Sequence, residues 1–418
     1  MTNGFESIPA GWSMSRLDRV ATVNARIGWK SLTATEYQPE GYAFLATPNI
    51  KNHEIDYRNV NYISEFRYEE SPELKLKEGD VLLAKDGNTL GIVNIVRDLP
   101  RPSTVNGSIA VLRPFGVYPS FLRYIIASDV IQGHISSVKD GMGVPHLFQR
   151  DIKRFALPLP PESEQLRIAS FLDAETGKMN DLVRSQARLV EVLDERINHQ
   201  VLDVIGRSEL GDEQHGSALI SMRWILRKHV RPTADTSEVI TAFRDGQVTA
   251  RSLRRAEGYT NSASSEPQGQ HVHIGDVVVH GLDGFAGAIG TAEAEGNCSP
   301  VNHVLTLRGE GDSSYYGRLL RILALQGYLT GFSYSTRERA FDFRNWDMFG
   351  RIPIPIGSVS EQRRIGHDIR NLRPIRNKVD QFAARIAERR QALITAAVTG
   401  QFDVTTASGR NVTDGVTP

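Results

Sequence analysis

The feature that most constrains this chain is that it says nearly the same thing twice. Gly79-Asp80-Val81-Leu82-Leu83 recurs as Gly275-Asp276-Val277-Val278-Val279, about 196 positions later. Asp86-Gly87 is echoed by Asp283-Gly284, and Val105-Asn106 with Ile109 to Arg113 by Val301-Asn302 with Val304 to Arg308. Leu157-Pro158-Leu159-Pro160 returns as Ile352-Pro353-Ile354-Pro355, then Glu164-Gln165 and Arg167-Ile168 as Glu361-Gln362 and Arg364-Ile365. Five matched stretches in one order, at nearly one offset, define a duplicated unit rather than a single irregular domain. A length of 418 residues agrees, since a single core rarely grows past roughly 250–300 residues.

Each copy has two parts. The first is rich in short β-type runs (Asp80 to Ala84, Gly91 to Val96, Ile109 to Leu112) punctuated by Gly, Pro, Asn and Asp. The second follows a Pro-x-Pro stop and has helical spacing, with steps of mostly three and four. One seam runs Ile168, Leu172, Met179, Leu182, Gln186, Leu189, Leu193, Ile197, Val201, with Glu175 in the remaining slot. The other runs Ile365, Ile369, Leu372, Val379, Phe382, Ile386, Arg390, Leu393, Ala397. Such seams are narrow and heptad-like, as in a coiled coil. Pro161 and Glu162 suit one helix start, and Gly357 and Ser358 the other. Pro374 is expected to kink or loosen the second helix, because it removes a backbone donor.

Charge distinguishes the segments. The β-rich stretches 1–157 and 206–356 carry net +1 and −1, whereas 158–205 carries −4 and 357–418 carries +4. Two apolar-seamed helices of opposite charge suit one another, and about 40 residues of helix make a rod on the order of 60 Å long. The alternative is that each helix packs on its own β-rich part. The expected organisation is therefore 1–157, a helix over 158–205, 206–356, a helix over 357–402, and a flexible tail over 403–418. The fold class is α+β.

These motifs resemble a known family. Leu157 to Ile168, followed by Phe171-Leu172-Asp173 and a long helix, is similar to the conserved region of type I restriction–modification specificity subunits. Ile352 to Ile365 repeats it, and the stretch Glu388 to Gly400 is closer still. The Gly-Asp-Val strands with Asp86-Gly87 and Asp283-Gly284 resemble that family's target-recognition domains. Two departures are Asp194 to Gln200, where the Arg-Gln-Ala-Leu-Ile form is lost, and Pro374. The resemblance implies two target-recognition domains separated by two long helices forming an antiparallel coiled coil, an internal pseudo-two-fold repeat. It implies a non-catalytic subunit that binds a bipartite, asymmetric double-stranded DNA target. Its implied partners are two modification (methyltransferase) subunits and restriction (translocase/nuclease) subunits. No cofactor is expected on this chain; S-adenosylmethionine, ATP and Mg belong to the partners.

Rival chemistries lack their residues. No Asn-Pro-Pro or Asp-Pro-Pro precedes an aromatic, and Gly284 to Gly290 has the wrong spacing for a dinucleotide loop. Gly177-Lys178 has Leu172 where a phosphate loop needs glycine and Met179 where it needs Ser or Thr. His271-x-His273 places two rings on one strand face, a zinc-compatible spacing, but no second ligand pair lies nearby in sequence, so no metal is expected. Cys298, the sole cysteine, excludes an internal disulfide and has no base beside it. The longest apolar runs fall short of the ~18 residues of a membrane span, and Met1 to Pro9 lacks a basic-then-apolar leader, so a cytoplasmic location is expected. The remaining rival is an interaction adaptor that pairs helices without touching DNA, which zero net charge mildly favours.

Base edges are read by Arg, Lys, Asn, Gln or Ser on protruding segments. In the first copy the candidates are Lys85, Asn88 and Thr89, then Lys139, Met142, Gly143 and His146 in a Gly-flanked stretch. In the second they are Arg251, Arg254 and Arg255, His280 and Asp283, then Tyr334, Ser335, Arg337 and Arg339. The 139–146 and 334–339 stretches lie just before the Pro-x-Pro motif of each copy. Their dissimilarity predicts two different half-sites.

Overall fold

The computed structural model describes residues 8–25, 32–51, 54–137, 145–209, 218–235, 238–254, 269–332 and 343–404. They fall into two compact units, Met1–Arg184 with Phe382–Pro418, and Ser185–Gln381. The units cut both long helices, where the sequence pattern predicts helices and β-rich parts as separate segments. The cause is packing: each β-rich core continues onto helix residues, as the clusters below show.

In the first unit a four-stranded antiparallel sheet has the order Ala21–Asn24, Ile109–Pro114, Val81–Ala84, Val93–Ile95. Val81 pairs with Leu112 and Leu82 with Val111. Alternate residues then face opposite sides. Val81, Leu83, Ala110 and Leu112 join Phe121, Leu122 and Ile125 of the helix Pro119–Ala127. Leu82, Ala84, Ile109 and Val111 join Leu45, Ile50, Leu74 and Val105 in a second core. Both faces are covered, which is why these runs are apolar throughout instead of alternating.

The second unit repeats the sheet as Leu226–His229, Asn302–Leu307, Val277–His280, Ile289–Thr291. Val277, Val279 and Leu305 pack with Tyr315, Leu319 and Leu323 of the helix Ser313–Leu325, while Val278 and Val304 face Ile240, Val248, Val272 and Cys298. The copies differ on this outer side. A three-stranded sheet in the first (Asn61–Ile63, Tyr42–Leu45, Ser103–Val105) is replaced by two antiparallel strand pairs, Ile240–Ala242 with Val248–Ala250 and Gln270–Val272 with Gly296–Cys298.

The repeated Gly-Asp has a mechanical role. Gly79 and Gly275 stand at φ +89° and +91°, a left-handed turn that glycine adopts without a Cβ clash. The following Asp80, 1% exposed, accepts from the Lys77 amide at 2.8 Å and from Arg113 Nε and Nη2, each at 2.8 Å. Asp276 accepts from the His273 amide at 2.8 Å and from the Arg231 guanidinium. The carboxylate keeps its guanidinium in both copies, although Arg113 lies on the Ile109–Pro114 strand and Arg231 follows a different strand.

Each Pro-x-Pro motif falls at a strand, which takes in Pro158 in the first copy and both prolines, Pro353 and Pro355, in the second. Ala156–Leu159 pairs with Ser13–Arg16, and Pro353–Ile356 with Ala218–Ser221, both in two-stranded sheets. Proline is tolerated at such edges because the missing N–H need not enter a ladder. The chain then enters the helices Glu162–Glu209 and Val359–Val398. The repeated glutamine anchors these entries. Gln165 Nε2 donates to Pro160 O at 2.9 Å and Gln362 Nε2 to Gly357 O at 2.8 Å. Beside the second entry the Ser358 amide donates to Glu361 Oε2 at 3.2 Å and the Glu361 amide to Ser358 Oγ at 3.4 Å, a capping box.

In the first unit Ile168, Leu172 and Met179 share a core with Leu393, Ile394, Ala397 and Val398; Ile386 packs against it and Phe382 is half-buried. In the second, Val190, Ile197, Val201 and Val204 share a core with Ile365 and Leu372, while Leu193, Ile369 and Val379 pack against it. The start of one helix meets the end of the other in one unit, and the reverse in the other unit, so the pair is antiparallel. Leu182 and Leu189 correct the expected seam: they are 45% and 50% exposed. Half-buried Val183 and buried Val190 occupy the stripe instead, because 3.6 residues per turn drift from a strict 3.5-residue seam. The second helix runs through Pro374.

Helix charges meet the bodies as well as each other. Arg376 lies 3.5 Å from Asp194 across the helix pair. Arg318 of the second body donates to Asp194 at 2.8 and 3.2 Å, Arg370 to Asp312 at 2.7 Å, and Arg373 pairs with Glu293 at 3.0 Å. Burial works against the Asp194 charge, but the Arg318 hydrogen bonds and the nearby cations outweigh it and hold its carboxyl below the usual range. No helix among the described residues is long and apolar enough to cross a membrane.

Candidate nucleic-acid interface

In the first unit the strand Val81–Ala84 delivers the chain into a turn that the later segment clasps. Lys85 O accepts from the Leu147 amide at 2.9 Å, and Pro145 O from the Gly87 amide at 2.9 Å. The structure thus joins two candidate groups that lie sixty residues apart in sequence. Asp86 is their hub: its carboxylate meets His146 Nδ1 and lies 3.3 Å from Lys85 Nζ, while its carbonyl accepts from Thr89 Oγ1 at 3.0 Å. Lys85 differs from its expected role. Its side chain is buried and holds the turn, so it presents no amine to solvent. Asn88 is exposed at the tip, whereas Thr89 and His146 are half-buried.

Two neighbours escape the sequence pattern. Phe148 is 51% exposed and sits edge-on to His146, ring centroids 4.6 Å apart. The Arg150 guanidinium lies 4.9 Å from the Phe148 ring centroid. Exposed aromatic–cation pairs of this kind can stack on bases or meet phosphates. The interleaving Phe148-Gln149-Arg150 is their only sequence signal.

The second unit builds the corresponding turn after Val277–His280. Gly281 O accepts from the Phe343 amide at 2.8 Å, in place of the Lys85–Leu147 contact. His280 Nδ1 accepts from the Asp283 amide at 2.9 Å, and burial holds its imidazole below the ordinary histidine value. Arg244 Nη2 donates to Asp283 at 2.9 Å. Arg254 donates to both oxygens of Asp245, at 3.1 and 2.7 Å, and its guanidinium lies 4.3 Å from the Phe243 ring centroid. Burial opposes the Asp245 charge, but the Arg254 hydrogen bonds outweigh it and hold the carboxyl low. Arg251 is exposed alongside. These residues line an open cleft of about 540 Å³ with three arginines on its wall. Phe243 and Arg244 do not stand out in the sequence, again despite aromatic–basic adjacency.

Lys139, Met142, Gly143, Arg255, Tyr334, Ser335, Arg337 and Arg339 lie outside the described residues. Cys298 is buried, and burial pushes its thiol up to about 11, which suits a core residue and not a nucleophile.

Residues 9–189 match the family model described as the Type I restriction modification DNA specificity domain. The chain is 22% identical over 244 residues to the type I restriction enzyme EcoKI specificity subunit of Escherichia coli (strain K12), covering 57% of this chain and 50% of that protein. It is 22% identical over 200 residues to the MjaVIII specificity subunit of Methanocaldococcus jannaschii, covering 47% and 46%. The matched part thus spans about half the length of these curated relatives. A solved chain from "Structural basis underlying complex assembly and conformational transition of the type I R-M system" superposes with a TM-score of 0.57 at 16% identity, over 95% of this chain and 100% of that one, a likeness of fold. Residues 9–189 are thus identified with the type I restriction–modification DNA specificity domain, and the chain is similar to the specificity subunits of type I restriction enzymes.

Proposed function

We propose that this chain is the DNA sequence-specificity subunit of a type I restriction–modification complex, reading a bipartite, asymmetric duplex target. The observation that carries the reading is one body built twice with unlike polar turns at equivalent positions. In one copy Asp86 holds Lys85 and His146, with Phe148 against His146 and Arg150 over Phe148; in the other Asp283 meets His280 and Arg244, and Asp245 holds Arg254 over Phe243. Duplicated scaffolds with dissimilar turns suit two different half-sites, since base-edge contacts specify while the scaffold positions. The antiparallel helices would fix the half-site spacing and dock two modification subunits, with restriction subunits joining for cleavage. Catalysis, S-adenosylmethionine, ATP and Mg would belong to those partners.

The test uses the chain assembled with its modification subunits. Sequencing of methylated DNA identifies the target, and a gel shift compares duplexes with and without it. Arg254→Ala and Phe148→Ala should each relax or weaken recognition at one half-site only, by roughly 1–3 kcal/mol for a lost base contact. A complex that methylates DNA at unchanged sites and rates with both substitutions overturns the assigned surface. A complex that does not retain target DNA returns the chain to the helix-pairing adaptor.

A further inference from the structure

His271 and His273 stand on the strand Gln270–Val272 and its continuation, and the register His271 to Asn297 places Glu295 on the same face of the strand pair. His271 Nε2 lies 2.9 Å from Glu295 Oε1, and His273 Nδ1 lies 3.1 Å from the same oxygen. The three are the one His/Cys/Asp/Glu triad of this kind among the described residues, with their ligand atoms within 4.8 Å of one another. The third ligand is invisible in sequence because it comes from the partner strand, 22 residues beyond His273.

Hydrogen bonding fixes the orientation of the buried ring. Asn297 Nδ2 donates to Ala234 O at 2.8 Å and Asn297 Oδ1 accepts from the Ala234 amide at 3.0 Å, so the amide cannot be flipped without losing both. That leaves Oδ1 facing His271 Nδ1 at 3.3 Å as an acceptor for Nδ1–H, the tautomer that frees Nε2 to ligate a metal. With Nδ1 as the donor, the Nε2 lone pair faces the Glu295 carboxylate. A metal ion at this place would take both atoms as ligands. An imidazole that donates one N–H to an amide oxygen while its other nitrogen faces a carboxylate has the outer-shell arrangement of a metal-bound histidine. Zinc bonds of about 2.0–2.1 Å set tetrahedral neighbours about 3.3 Å apart, close to the separations seen here.

We propose that His271 Nε2, His273 Nδ1 and Glu295 form a three-ligand site for a divalent transition-metal ion of the zinc class, with water completing the shell. Two imidazoles and one carboxylate favour Zn²⁺ over Mg²⁺, which prefers all-oxygen shells. The ion clamps strand Gln270–Val272 to Gly296–Cys298 on the outer side of the second unit. The site stands independently of any reading of DNA.

The test is calorimetric titration of the full-length, metal-stripped chain with Zn²⁺, beside His273→Ala, Glu295→Gln and, as a control, His367→Ala. His273 and Glu295 are both more than half exposed, so neither substitution threatens folding, which circular dichroism checks. The expected result is one equivalent bound by the unaltered chain and by His367→Ala, and binding at least tenfold weaker in the other two. Zn²⁺ should also raise the melting temperature of the unaltered chain and not of those two, and Mg²⁺ should do neither. An unaltered chain that takes up no Zn²⁺ overturns the proposal. So does equal uptake by His273→Ala and Glu295→Gln.

Discussion

At Gly275 an added methyl group would meet nothing within 4 Å, yet the backbone stands at φ +91°. Gly275→Ala therefore isolates backbone strain from crowding, and should cost about 1–2 kcal/mol in urea denaturation with an unchanged slope. Asp80 tests the other half of the motif. Asp80→Ala strips Arg113 of a bidentate carboxylate and leaves the Lys77 amide without its acceptor, for an expected loss of about 3–5 kcal/mol by the same measurement. At this scale the sequence is legible wherever a residue type answers a backbone need, as with Gly79, Asp80 and Gln165. It is not legible where the answer depends on what folds alongside. Lys85 has the composition of a solvent-facing cation, but Asp86 and the incoming 145–147 segment bury it.

Among elements, the helices show where periodicity is reliable and where it slips. Leu172→Ala should cost about 2–5 kcal/mol, because it empties a fully buried site, whereas Leu182→Ala should stay within about 0.5 kcal/mol. Equal losses at the two positions would restore the seam read from sequence. Hydrophobic spacing identifies the helices and their starts, but a one-residue choice between Leu182 and Val183 depends on the twist of the partner, which spacing does not encode. Charge segregation is equally visible, although its partners are not: Arg318, Asp312 and Glu293 of the second body meet the helices alongside Arg376 and Asp194. The Asp194 carboxyl is held below its unfolded value, so its contribution is complete above about pH 4 and is lost as pH falls through the depressed folded value. The stability advantage of the unaltered chain over Asp194→Asn should accordingly be flat near neutrality and shrink in acid, as followed by denaturant midpoints across pH.

For the whole molecule, two compact units imply two zones of local stability. Leu83→Ala, in the core shared by the first sheet and Ile168, should accelerate amide exchange through Val81–Ala84 and Ile109–Pro114 while strands Val277–His280 and Asn302–Leu307 keep their protection. Loss of protection in both sets would show one cooperative block. The doubled sheet is legible from the repeat alone, since Gly-Asp-Val and the Pro-x-Pro strands recur in register. The unlike outer sides are not, because short strands such as Ile240–Ala242 and Gly296–Cys298 gain their apolar partners only from distant segments. The burial of Cys298 has a practical side. With its thiol raised to about 11, only on the order of one molecule in ten thousand carries a thiolate at neutral pH, and that sulfur is shielded. The native chain is therefore chemically silent toward maleimides, and a single cysteine introduced at an exposed position will carry a fluorophore or spin label at that position alone.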